Sequence, residues 1–168
     1  MASRRNLSLL SATLLVPLLV QAAGTKVGVI QVSVTIVGEC TAVTPTALDF
    51  GANIGAGFTA DVTAESEIRV NCAANTPYEI ALNGGQNAGG SLIDRNMKLA
   101  SGTAQLPYGL YTDDTRTTPW GDGTTGELVT GTADGSVTIH TVYGKLPPPS
   151  TSPQLGEYTD TVTVTLTY

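Results

Sequence analysis

Gly28-Val29-Ile30-Gln31-Val32-Ser33-Val34-Thr35-Ile36-Val37 decides the fold. Ile30, Val32, Val34 and Ile36 fall on one side of an extended backbone, and Gln31, Ser33 and Thr35 on the other. Side chains alternate between the two faces of a strand, so this β-branched run predicts a strand with one apolar face. Gly28 keeps the phase of the apolar row, whereas Val27 and Val29 flank it out of phase.

The far end of the chain repeats the pattern. Within Tyr158–Tyr168, Val162, Val164 and Leu166 share one face and Thr161, Thr163, Thr165 and Thr167 the other. Between these ends, strands are predicted at Ala47–Gly51, Glu65–Cys72, Tyr78–Asn83, Asn96–Ala100, Pro107–Thr112 and Ser136–Leu146. Asn83-Gly84-Gly85 and Pro147-Pro148-Pro149 read as connections, because neither glycine-rich nor proline-rich chain sustains a ladder. Short strands punctuated by turn residues, without a sustained helical period, indicate an all-β sandwich. A strong strand at each end poses a choice: the first pairs beside the last, or it serves another molecule.

The 168 residues suit one domain. Eight Lys and Arg against 14 Asp and Glu leave a net charge of −6, which excludes the basic footprint of a nucleic-acid or anionic-membrane binder. Arg4 and Arg5 precede an apolar run from Leu7 to Val20, followed by the small-residue cleavage pattern Val20-Gln21-Ala22, which reads as a signal peptide over residues 1–22 cleaved after Ala22 or one residue later. A run of about 14 residues falls short of the roughly 20 that span a bilayer, so no stable membrane anchor is expected. In an exported chain Cys40 and Cys72 are expected to form a disulfide; two buried free thiols are the competing reading.

Several segments in order resemble a known family: Ala47-Leu48-Asp49-Phe50-Gly51, Leu106-Pro107-Tyr108-Gly109-Leu110-Tyr111-Thr112-Asp113, Arg116, Trp120-Gly121-Asp122-Gly123, Val142-Tyr143-Gly144-Lys145-Leu146-Pro147 and Gly156-Glu157-Tyr158-Thr159-Asp160-Thr161-Val162-Thr163-Val164. They are similar to the spore coat protein U domain family, which includes the pilins of archaic chaperone–usher pili. The resemblance implies an incomplete immunoglobulin-like β-sandwich lacking its last strand, at residues 38–168, preceded by a donor strand at residues 23–37. Subunits of this kind polymerise by donor-strand exchange, each lending its N-terminal strand to a neighbour's groove. The implied donor positions are Gly28, Ile30, Val32, Val34 and Ile36. Val162, Val164 and Leu166 would line the acceptor groove, and Tyr168 with its carboxylate would meet a periplasmic chaperone. The implied partners are copies of this chain or related pilins, that chaperone and an outer-membrane usher, in a surface pilus for adhesion and biofilm formation.

Other readings stand beside this one. The N-terminal strand could curl into its own groove or complete an ordinary sandwich, although Gly38-Glu39 leaves little chain to turn back before Cys40. A soluble secreted sandwich that binds carbohydrate or a surface ligand, or a coat-layer protein, is the alternative function. No enzyme, cofactor or metal site is expected. The single histidine, His140, has no nucleophile elbow beside it, and its alternation against Ile139 and Tyr143 places it on the surface or at a subunit contact. Asp113, Asp114 and Asp122 do not match calcium-loop spacing and read as turn residues. Trp120 is expected to pack a loop rather than stack on a sugar.

Overall fold

The computed structural model describes residues 26, 28–51, 58–89, 93 and 95–168, so the expected signal peptide lies outside the described residues. The chain divides into two units, Met1–Thr35 and Ile36–Tyr168. In the first, Gly28–Thr35 forms no strand, and Ile30, Val32 and Val34 are 86%, 89% and 84% exposed. The strand expected over Gly28–Val37 is therefore an alternating sequence without a ladder. A strand exists only through hydrogen bonds to a partner strand, and nothing in the segment itself supplies one.

The second unit is all-β. Its strands are β1 (Cys40–Pro45), β2 (Val62–Cys72), β3 (Pro77–Leu82), β4 (Arg95–Leu99), β5 (Gln105–Tyr111), β6 (Val129–Thr132), β7 (Val137–Leu146), β8 (Tyr158–Thr159) and β9 (Val164–Thr167). They form a six-stranded sheet in the order β1-β2-β7-β5-β4-β8 and a three-stranded sheet in the order β6-β3-β9, all pairs antiparallel. This is an immunoglobulin-like sandwich, with the inner faces of two antiparallel sheets enclosing the core. The longest ladder joins β2 to β7, from Val62↔Leu146 to Asn71↔Val137. Its inward side chains Ile68, Val70, Val142 and Leu146 meet Ile80 and Leu82 of β3, Leu110 of β5 and Trp120, all buried. Trp120 is wholly buried, and its indole N–H donates to the Ile80 carbonyl at 3.0 Å. Cys40 and Cys72 face each other across β1 and β2 and are disulfide-bonded.

Three expectations need correction. Ala47–Gly51 is not a strand; β1 precedes it and ends at Pro45. Beyond that proline the Thr46 hydroxyl accepts from Glu67 N–H at 2.8 Å, and Asp49 accepts from Gly51 N–H at 2.8 Å in a side-chain turn. Leu48 and Phe50 still pack against the core, in space left by Gly144, whose absent Cβ would lie within 2.8 Å of Leu48 and 3.1 Å of Phe50. Tyr158–Tyr168 is two strands in different sheets: β8 pairs with β4, and β9 pairs with β3. The chain changes sheets across Asp160–Thr163 because that segment bonds to the 83–87 turn, as described below. Finally, His140 shares the inward phase of Val142 and Leu146, while Ile139 faces out and is 47% exposed.

His140 is half-buried and lies 2.9 Å from the Tyr78 hydroxyl through Nε2, with the two rings edge to face. Burial disfavours its cation and lowers its pKa from the ordinary 6.5. Because the folded value lies below the unfolded one, the His140 contribution is complete above about pH 6.5 and is lost as pH falls through the folded value. Urea midpoints of the wild type should drop between about pH 7 and pH 5, and His140→Gln should flatten that part of the profile. Parallel profiles for the two proteins would exclude His140 as the source.

Candidate functional site

A cleft of about 860 Å³ opens between the sheets. The six-stranded sheet contributes Ile68, Met97, Leu106, Leu110, Val142 and Leu146 to its walls. Leu82 contributes from the three-stranded sheet, and Leu48, Phe50 and Phe58 from the connection between β1 and β2. A lining so rich in aliphatic and aromatic side chains favours an apolar occupant over water. The cause is visible in the strand count: three strands face six, so part of the larger sheet's inner face lacks a strand opposite it.

β9 forms one border of this opening. It pairs with β3 from Glu79↔Thr167 to Leu82↔Val164 and has no second neighbour among the described residues. Val162 and Val164 line the cleft, and Leu166 is half-buried against the core cluster without lining the opening. Tyr168 is 60% exposed beyond the end of the strand. Thr161, Thr163, Thr165 and Thr167 are all exposed, so this terminal segment keeps the two-faced character of its sequence.

The chain reaches that border through Asp160. Its carboxylate accepts from the Tyr108 hydroxyl at 2.7 Å, from the backbone N–H of Gln86 and Asn87 at 3.0 and 3.2 Å, and from Asn87 Nδ2 at 3.0 Å. Gly85 is required beside it, because its φ is +83° and a Cβ there would collide with the Asp160 carboxylate. Asn83 Oδ1 accepts from Thr163 N–H at 2.8 Å and fixes the other end of the crossing. Burial, then the bond to Asp160, pushes the Tyr108 hydroxyl pKa well above its ordinary value. Nearby Arg95 is wholly buried; its Nε donates to Asn83 O at 3.0 Å and its Nη2 to Trp120 O at 2.8 Å, while Nη1 has no partner among the described residues. Desolvation lowers its pKa.

The expected donor residues have a uniform environment. Gly28 has no atom within 4 Å of where a Cβ would stand, and Ile36 is 89% exposed, like the rest of its row. Val29 is 86% exposed, so solvent exposure alone does not separate the two faces. Anchoring begins at Gly38, where an added Cβ would come within 2.7 Å of the Thr76 side chain. Glu39 O accepts from Ala73 N–H at 2.8 Å, and the disulfide follows at Cys40.

Sequence reasoning missed the polar border: Asp160, Tyr108 and Arg95 carry no periodic signal of their own. The aspartates at 113 and 122 are turn residues. Asp113 accepts from Thr117 and Thr118 N–H, at 2.7 Å for the latter, and Asp122 from Thr124 and Thr125 N–H at 2.9 Å each. These bonds hold both carboxyls below the ordinary carboxylate range, the Asp113 shift led by a hydroxyl bond from Thr115. Among the described residues no three His, Cys, Asp or Glu side chains gather as metal ligands would.

The second unit is thus an immunoglobulin-like sandwich with an apolar cleft beside an edge strand that has one partner among the described residues. The family model of the Spore Coat Protein U domain matches residues 26–165, and the chain belongs to that family. Among solved structures it resembles a chain in the crystal structure of the CsuC–CsuE chaperone–tip adhesion subunit pre-assembly complex, from archaic chaperone-usher Csu pili of Acinetobacter baumannii. The TM-score is 0.55 at 24% sequence identity, over 80% of this chain and 41% of that one. The chain thus spans less than half the length of that relative, and the likeness is one of fold. No curated protein matches its sequence.

Tyr108→Phe removes a buried hydrogen bond to a carboxylate and should cost about 1.5–3 kcal/mol in urea unfolding. Tyr158→Phe, whose hydroxyl donates to Gln154 O at an exposed site, is the control. It should stay within about 0.5 kcal/mol. Equal effects of the two would deny Asp160 its anchoring part.

Proposed function

We propose that this chain is a structural pilin subunit that polymerises by donor-strand exchange in an archaic chaperone–usher pilus. One juxtaposition in the sequence and fold carries the reading: an exposed, alternating apolar segment that forms no ladder, in the same chain as an apolar cleft bordered by a strand with an open edge. Each lacks what the other supplies. Residues 23–37 are the donor segment, with Ile30, Val32, Val34 and Ile36 as its inserted side chains and Gly28 in phase at one end. Residues 38–168 are the accepting domain, with Val162, Val164 and Leu166 on the strand the donor joins. Burial of four such side chains is worth roughly 6–12 kcal/mol before ordering costs, comparable to the stability of a small domain.

The same chemistry implies a transient partner during export. An apolar cleft beside an open edge invites aggregation, so a periplasmic chaperone covers it and contacts Tyr168 until an outer-membrane usher passes the subunit to its neighbour. Residues 1–22 direct export and are removed. The mature subunit functions outside the cell in surface attachment and biofilm growth, and catalyses no reaction.

Deletion of residues 23–37 after the export signal should abolish fibres seen by electron microscopy. Val34→Asp should cut fibre yield at least about tenfold, because a carboxylate would enter an apolar cleft, whereas Val29→Asp should leave it within about twofold. Normal fibres from the deletion would overturn the reading; equal effects of the two aspartates would overturn the assigned phase.

A further inference from the structure

Trp120, which the sequence analysis expects to pack a loop rather than stack on a sugar, is wholly buried in the core. A different aromatic, half-buried, lies on the outer face of the six-stranded sheet. Tyr111 follows inward-facing Leu110 and lies down over Gly109, where an added Cβ would come within 2.5 Å of its hydroxyl oxygen and 2.6 Å of its ring. Gly109 is therefore what allows the ring to lie flat. Opposite Gly109 in register is Lys145, whose Nζ stands 5.2 Å from the Tyr111 ring centroid.

These residues share a pocket of about 360 Å³ with Pro107 and Pro147. That volume falls in the range of small-molecule sites. In a chain of net charge −6, no carboxylate lines this pocket among the described residues. Lys145 has none within 4.0 Å among the described residues. Arg95 and Asn96 of β4 complete the wall, the Arg95 guanidinium itself turned inward to the Asn83 and Trp120 carbonyls. An aromatic ring with a cation over it suits a ligand that has both an apolar ring face and an anionic group.

We propose that this pocket binds an acidic sugar, the pyranose face stacked on Tyr111 and the carboxylate paired with Lys145. A polysaccharide rich in uronic acids presents that chemistry. The site is separate from the cleft between the sheets, so the proposal does not rest on the pilin reading.

Saturation-transfer NMR on the full exported chain tests it, with glucuronate, glucose and acetate as probes. Glucuronate should bind saturably with Kd about 1 mM, the scale for a ligand of this size. Glucose, which lacks the charge, and acetate, which lacks the ring, should each bind at least about fivefold more weakly. Lys145→Met should weaken glucuronate about tenfold and erase its preference over glucose, and Tyr111→Ala should weaken both sugars. Lys145→Gln replaces Lys145→Met if the latter loses the near-ultraviolet circular dichroism of buried Trp120. Fibre yield of these variants should match the parent. No saturable transfer from glucuronate, equal binding of glucose or acetate, or an unchanged Lys145 variant would overturn the proposal.

Discussion

β9 hydrogen-bonds to β3 along one edge and has no neighbour along the other among the described residues. An edge strand leaves every second N–H and C=O pointing sideways, and these groups must find water, a lid or another strand. Here the open edge stands beside apolar surface. A three-stranded sheet facing a six-stranded one leaves Leu106, Leu110 and Val142 lining an open cleft. Water satisfies the backbone of such an edge but not the side chains next to it; a strand with one apolar face satisfies both. In the proposed function the Gly28–Ile36 alternation and the border of the cleft are two halves of one hydrogen-bonding and burial problem.

The cleft border also needs to be held in place. Asp160 draws the terminal segment to the 83–87 turn through backbone N–H groups and ties it to Tyr108 of β5. Arg95 of β4 reaches the carbonyls at the end of β3 and at Trp120, so it bridges the two sheets. A buried guanidinium is costly, and its bonds to main-chain oxygens recover part of that cost while fixing geometry that interchangeable aliphatic contacts would leave loose. The polar groups determine where β9 stands; the apolar groups determine what can lie beside it.

Much of this was legible in the sequence where period two was strong. β2, β3, β5 and β7 lie close to their expected positions, and Cys40 and Cys72 form the disulfide expected of them. Elsewhere the signal and the structure part for physical reasons. β6 is a four-residue strand containing Gly131, too short for alternation to register. Tyr158–Tyr168 keeps one alternation except at Asp160, which stands in the apolar phase and divides the segment, because partners distant in sequence decide which sheet a residue joins. His140 was read in the wrong phase: Tyr143 has the composition of a core residue, but it lies on the outer face, its ring centroid 5.6 Å from the Arg116 guanidinium carbon. Composition locates a strand; only its neighbours locate its inside.

The root of the N-terminal segment bears on how a fibre of such subunits would carry load. Close packing of Gly38 on Thr76, the Glu39–Ala73 bond and the disulfide occupy three consecutive residues. A donor strand ending at Ile36 would therefore join its own domain with almost no slack. Tension along the fibre would reach Cys40 and pass through the covalent bond to Cys72, at the end of the long β2–β7 ladder, instead of peeling β1 one hydrogen bond at a time. Loading a ladder along its length shears many bonds together, whereas pulling at an edge breaks them in sequence. In the proposed assembly the disulfide thus does more than constrain the unfolded chain: it connects the lent strand to the most extensively paired part of the domain.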